Sequence, residues 1–89
     1  MSEEKTTLLE FPTDFPLKIM GEAREDFAQV MVEIVCKHAP DYDPASVEMR
    51  PSKQGKYLGL TCTIQATSQA QLDALYRELS AHPLVKMVL

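Results

Sequence analysis

The chain has 89 residues, enough for one domain and too few for two that each bury a core. With 45% hydrophobic and 25% charged residues it is a globular composition, which excludes an intrinsically disordered chain, and two cysteines are too few for a disulfide framework. A net charge of −4 argues against a general nucleic-acid binder, which has phosphates to neutralise.

The opening Met1-Ser2-Glu3-Glu4-Lys5-Thr6-Thr7 is polar and acidic, unlike the basic and then apolar start of a secretory signal. No stretch approaches the roughly 20 apolar residues that cross a bilayer. Cys36 and Cys62 lie without a CxxC or paired-His pattern around them, so neither metal nor redox chemistry is expected. These features point to a cytoplasmic protein with reduced thiols and no membrane partner.

Residues 1–7 read as a flexible tail and 8–89 as a single domain. Leu8, Leu9 and Phe11 form a short apolar patch expected to pack across the domain edge, ahead of Pro12 and Pro16. Leu17 to Gly21 alternates as a strand, and Gly21 stands where a strand-to-helix turn often needs freedom at φ. From about Ala23 to Ala39, Phe27, Val30, Met31, Ile34, Val35 and His38 fall on one helical stripe. Glu22, Glu25 and Asp26 are expected in its first turn, Lys37 and His38 in its last, and Pro40 stops it.

After the loop Asp41 to Ser46, Val47 to Arg50 is a short strand with Val47 and Met49 inward, pushed to an edge by Pro51. Ser52 to Gly55 connects a hairpin. Leu58, Leu60, Cys62, Ile64 and Ala66 then alternate with Tyr57, Gly59, Thr61, Thr63 and Gln65, the clearest strand of the chain. Ser68 and Gln71 fit a capping box, Leu72, Leu75, Tyr76 and Leu79 repeat the helical offsets before Pro83, and Leu84 to Leu89 is a last strand.

The order β-α-β-β-α-β, with one apolar stripe per helix, predicts an α+β fold. It is the ferredoxin-like sandwich, in which both helices cover one face of a four-stranded antiparallel sheet. Right-handed crossovers place the first and third strands in the centre. The other face then carries Lys18, Met20, Glu48, Arg50, Tyr57, Thr61 and Thr63, joined by Lys86 if Val85, Met87 and Leu89 point inward. Charge is uneven: residues 1–49 carry −7 and residues 50–89 carry +3. The acidic first helix and the basic hairpin of one copy could therefore attract those of a second, giving a homodimer, or be ordinary surface charge.

Leu9-Glu10-Phe11-Pro12, Lys18-Ile19-Met20-Gly21, Pro51-Ser52-Lys53-Gln54-Gly55-Lys56-Tyr57 and Val85-Lys86-Met87-Val88-Leu89 occur in this order, and together they resemble the YbeD family of small bacterial proteins. Leu75-Tyr76 and Leu79 also fit. The resemblance implies a ferredoxin-like fold similar to ACT-type regulatory domains, which bind small ligands and associate through sheets or helices. It further implies a cytoplasmic location, an unassigned biochemical function and a connection to lipoate metabolism, and it supplies no catalytic residues.

A ligand site of the ACT kind would use the turn at Gly21, Glu22 and Ala23, where helix N–H groups are exposed, although glycine can stand there for geometry alone and Glu22 would repel an anion. The basic hairpin Arg50, Ser52, Lys53, Gly55 and Lys56, with Tyr57 beside it, could hold a phosphate or carboxylate, or could simply be a solvated turn that discourages aggregation. Stacked readout of RNA needs two or three aromatics on the central strands, and these positions hold Thr61, Thr63, Lys18 and Met20. His38 has no partner placed by the sequence and reads as a capping or packing residue, and Asp41 and Asp43 lack the further ligands of a calcium loop. Cys62 faces the core, leaving Cys36 the more accessible thiol. No nucleophile, base and oxyanion donors can be assembled. The reading is a non-enzymatic regulatory or ligand-sensing module without cofactor or metal, with a protein-interaction adaptor as the alternative.

Overall fold

A computed structural model describes residues 10–89; the tail and the Leu8–Leu9 part of the apolar patch lie outside the described residues. Phe11, the remaining member of that patch, packs half-buried against the core. The elements are β1 (Thr13–Glu22), α1 (Phe27–His38), β2 (Glu48–Pro51), β3 (Tyr57–Ala66), α2 (Gln69–Ala81) and β4 (Val85–Val88), with a 3₁₀ turn at Pro44–Ser46. The strands form one antiparallel sheet in the order β2-β3-β1-β4. This is the expected ferredoxin-like sandwich, with β1 and β3 central. Among the described residues no helix is long and apolar enough to cross a membrane.

Leu17 and Ile19 of β1 and Leu60, Cys62, Ile64 and Ala66 of β3 meet Phe27, Met31, Ile34 and Val35 of α1 and Leu72, Leu75 and Leu79 of α2 in the core. At about 25 cal/mol per Å² of apolar surface, this burial on one face is the main force holding the helices to the sheet. Phe15 meets Tyr76 edge to face at 6.4 Å, closing one end of the sandwich.

Local chemistry departs from the expectations at four places. β1 begins at Thr13 and includes Pro16. The Lys18 N–H donates to the Leu89 carbonyl, so by the period of two the Pro16 nitrogen also points towards the β4 side, beyond the last described pairing of that strand. Proline therefore removes no ladder bond there. α1 begins at Phe27, not near Ala23, because β1 stays paired as far as Glu22 opposite Tyr57 and the Ala23 N–H donates to the Lys56 carbonyl. Glu22, Glu25 and Asp26 thus precede the first turn, and Asp26 caps without a side-chain hydrogen bond.

The third departure is at Met49, which pairs with core-facing Leu60 yet is 58% exposed, since β2 lies at the sheet edge beyond the helices. The fourth is in β4. A register shift between Met20 and Gly21 leaves Lys86 as an extra residue between the Val85 and Met87 pairings. Val85 and Val88 both pack against the core, while Met87 and Leu89 are exposed. The expectation that Met87 and Leu89 point inward fails because a bulge changes which face each following residue takes.

Candidate functional site

Side chains directly opposite one another in antiparallel strands share a face, so the register assembles the uncovered side of the sheet in rows. One row runs Glu48, Thr61, Lys18 and Leu89. The next runs Arg50, Gly59, Met20 and Met87. The third holds Ser52, Tyr57 and Glu22, with Lys86 Nζ 3.8 Å from the Glu22 carboxylate. Tyr57 and Thr61 lie on the face opposite the helices, as predicted.

A shallow concavity of about 490 Å³ occupies this face, with Lys18, Met20, Arg50, Tyr57, Gly59 and Met87 among its lining. Its floor is thioether, aromatic ring and bare glycine backbone. Lys18 and Arg50 stand on it without an ion pair among the described residues. Such a surface offers apolar contact in the middle and a cation at the side, the combination that small-molecule sites use to fix orientation.

The predicted site residues separate into three groups. Arg50, Ser52 and Tyr57 line the concavity. Ser52 also builds its wall: its N–H donates to the Tyr57 carbonyl at 2.9 Å, and its Oγ accepts from the Tyr57 N–H at 3.1 Å. Lys53 and Lys56 are exposed in the hairpin outside the lining, where Gly55 takes φ 70°. Gly21 is buried inside β1, and Glu22 ends that strand beside Lys86. Gly21 and Glu22 are strand and Ala23 lies four residues before α1, so the segment does not present the start of a helix as a site of the ACT kind would require.

Gly21 is needed for close approach and not for φ: a Cβ there would overlap the Leu84 carbonyl oxygen and the Phe27 ring. Sequence reasoning missed Met87 and Leu89, hidden by the bulge, and passed over Gly59, whose position on the outward side of β3 was the available signal.

On the helical side, His38 finds the partner the sequence could not place. Its Nε2 is 2.7 Å from Glu78 Oε1, and Lys37 Nζ donates to Glu78 Oε2 at 2.8 Å. These hydrogen bonds, Lys37 first, hold the Glu78 carboxyl below its ordinary pKa. Gln71 Nε2 donates to the His38 carbonyl at 2.9 Å, so α1 and α2 are joined by side chains at two points. A second concavity of about 470 Å³ lies nearby, lined in part by Asp43, Gln71, His38 and Tyr42. Asp43 Oδ1 accepts from the Ala45 N–H, and Gln71 and His38 are engaged as described, so these three lining residues already serve the fold. Among the described residues the buried Tyr42 hydroxyl has no hydrogen-bond partner, and burial raises its pKa to about 12. Burial likewise pushes up the Cys62 thiol, which keeps it neutral and unreactive.

The family described as "Protein of unknown function (DUF493)" matches residues 6–89. The chain belongs to the DUF493 family. Curated relatives include a UPF0250 protein of Bordetella pertussis, 58% identical over 93% of this chain and 91% of its own. Another, from Nitrosomonas europaea, is 53% identical over the whole of both chains. The resemblance to the YbeD family agrees with this membership.

Among solved structures, protein HP0495 of H. pylori matches with a TM-score of 0.77 at 12% identity, over 100% of this chain and 93% of that one. The ACT domain from the GTP pyrophosphokinase of Chlorobium tepidum matches with a TM-score of 0.58 at 17% identity, over 86% and 97%. At these identities the solved structures speak for the fold of this DUF493 member and not for its ligand.

Proposed function

We propose that this DUF493 protein is a small, non-catalytic regulatory module that senses a small molecule on the open face of its sheet and acts in the cytoplasm. The observation that carries the reading is the concavity on that face, where an apolar floor meets Lys18 and Arg50 without ion-pair partners among the described residues. The ACT-like fold supports it, since the resemblance to the YbeD family implies likeness to ACT-type regulatory domains, which bind small ligands. The non-catalytic part is supported by the fate of the one His–carboxylate contact described, between His38 and Glu78: it lies away from this face and ties two helices together.

Thermal shifts against a saturating panel of amino acids, lipoate and short acyl compounds test the proposal. A specific ligand raises the melting temperature by mass action, by an amount that grows with its concentration. A panel without any shift overturns it.

A second reading, a protein-interaction adaptor, is favoured by the exposure of Met20, Met87 and Leu89 on the same face, because flexible thioethers repack against varied partners. In that case affinity capture from a bacterial lysate recovers partners with the wild type that are lost with Met20→Glu or Met87→Glu. Recovery of the same proteins by all three chains rules the adaptor out.

A further inference from the structure

Each glycine of the chain can be asked why it has no side chain. Gly21 faces the Phe27 ring and the Leu84 carbonyl, and Gly55 has a positive φ. Gly59 has neither reason. It lies within a central strand, its φ is not positive, and its pairing with Arg50 on one side and Met20 on the other is regular. Among the described residues, a Cβ there would meet only the Arg50 carbonyl oxygen at 3.5 Å, an ordinary contact. Glycine inside a strand weakens it, and where no bulge, bend or crowded backbone calls for it, the remaining physical reason is room for something that lies against the sheet.

The gap is set in an ordered row: Arg50, Gly59, Met20, Met87. The row spans three strand spacings, roughly 14 Å, with a guanidinium at one end, open space next to it, and two exposed thioethers beyond. We propose that this row binds an aliphatic carboxylate, its head on Arg50 and its chain laid over Gly59 towards Met20 and Met87. The proposal rests on the ligand-sensing reading and specifies its site and chemical class.

Charge and shape both select this class. The planar fork of Arg50 matches a carboxylate in two parallel hydrogen bonds, and Lys53 and Lys56 in the adjoining hairpin add positive potential at that corner. Glu48, two residues from Arg50 on the same face of β2, also lines the concavity but forms no ion pair with Arg50 among the described residues, and Glu22 lies 3.8 Å from Lys86. Methionine side chains conform readily to an alkyl chain, and among the described residues Tyr57 is the single aromatic lining the concavity, which leaves a stacked nucleobase with one platform.

The test is an NMR titration of the full chain, reading amide and methionine-methyl signals, with straight-chain carboxylates from butanoate to decanoate and with alcohols of equal length. Saturable shifts are expected at the Gly59 amide and the Met20 and Met87 methyls. Affinity should rise roughly two- to fourfold per added methylene, and alcohols should bind at least about tenfold more weakly. Arg50→Gln should bring the carboxylates down to the level of the alcohols. Gly59→Thr should fold with a melting temperature equal to or above wild type, and bind none of the probes.

Absence of shifts at those three residues up to about 10 mM probe overturns the proposal. So does a Gly59→Thr protein that melts lower, or that binds as wild type does. Shifts in the same row on raising protein concentration without probe would mean that a second copy covers it, and also overturn it. If another compound of the thermal panel stabilises wild type and Gly59→Thr alike, this site fails while the ligand-sensing reading stands. If nothing in either experiment binds, both fail.

Discussion

Gly21 and Glu78 show how much a single position can carry in a chain this short. At Gly21 the Phe27 ring and the Leu84 carbonyl fill the space a side chain would need; Phe27 is fully buried, and the crowding Leu84 atom is backbone beside the start of β4. Gly21→Ala is expected to cost roughly 2–3 kcal/mol, read as a lower denaturant midpoint at unchanged slope. An unchanged midpoint would mean that the close approach is not there. The glycine itself was visible in the sequence, but its reason was not, since crowding by Phe27 and Leu84 exists only once α1 and the segment before β4 are docked.

Glu78 is held ionised by Lys37 and then by His38, so its folded pKa lies below its unfolded one. Its contribution is therefore present above the unfolded pKa and lost as the pH falls through the usual carboxylate range. The melting temperature of wild type should exceed that of Glu78→Gln at neutral pH, and the gap should close on acidification. A constant gap would assign the effect to packing and not to charge. The sequence showed His38 on the apolar stripe but could not find its partner 40 residues away.

At the scale of elements, what was readable was periodicity, and what was not readable was where pairing overrides it. α2 follows local rules: Ser68 Oγ accepts from the Gln71 N–H at 3.1 Å, and Gln71 reaches back to accept from the Thr67 N–H, one residue beyond the expected capping box. Ser68→Ala should destabilise by about 1 kcal/mol, measured by chemical denaturation; a neutral result would show that the Gln71 bonds to Thr67 and His38 suffice to start the helix. β4 does not follow local rules. Leu84 to Leu89 has no strong alternation of its own, and the extra residue at Lys86 exists because Val85 and Val88, three apart, must both reach the core. The start of α1 moved for a related reason, as the Tyr57 and Lys56 backbone holds the chain in the sheet through Ala23.

Across the whole molecule, stability should be graded from the centre of the sheet outwards. β1 and β3 pair over ten positions and bury Leu17, Ile19, Leu60 and Cys62 between sheet and helices, whereas β2 is exposed at all four positions and β4 is short. In native-state hydrogen exchange the slowest amides are expected in Leu17 to Ile19 and Leu60 to Cys62, exchanging only on global unfolding, with β2 opening at much lower free energy. Equal protection of β2 and β3 would contradict this gradient. Such an arrangement sets most of the open face on the two central strands, with its cation Arg50 on an exposed edge strand.

The fold class was within reach of the sequence alone, because two helical stripes and one strictly alternating strand are local patterns, and burying them together leaves few arrangements. The uncovered face and the positions of Arg50 and Tyr57 on it followed from the same alternation, with Ser52 placed in the adjoining hairpin. Only the tertiary structure decided that Met87 and Leu89 join that face, that Gly21 belongs to packing, that His38 meets Glu78, and that Gly59 leaves a gap beside Arg50. All four depend on register or on contacts between residues far apart in the chain. One bulge or one docked ring sets such contacts, and no period in the sequence records either.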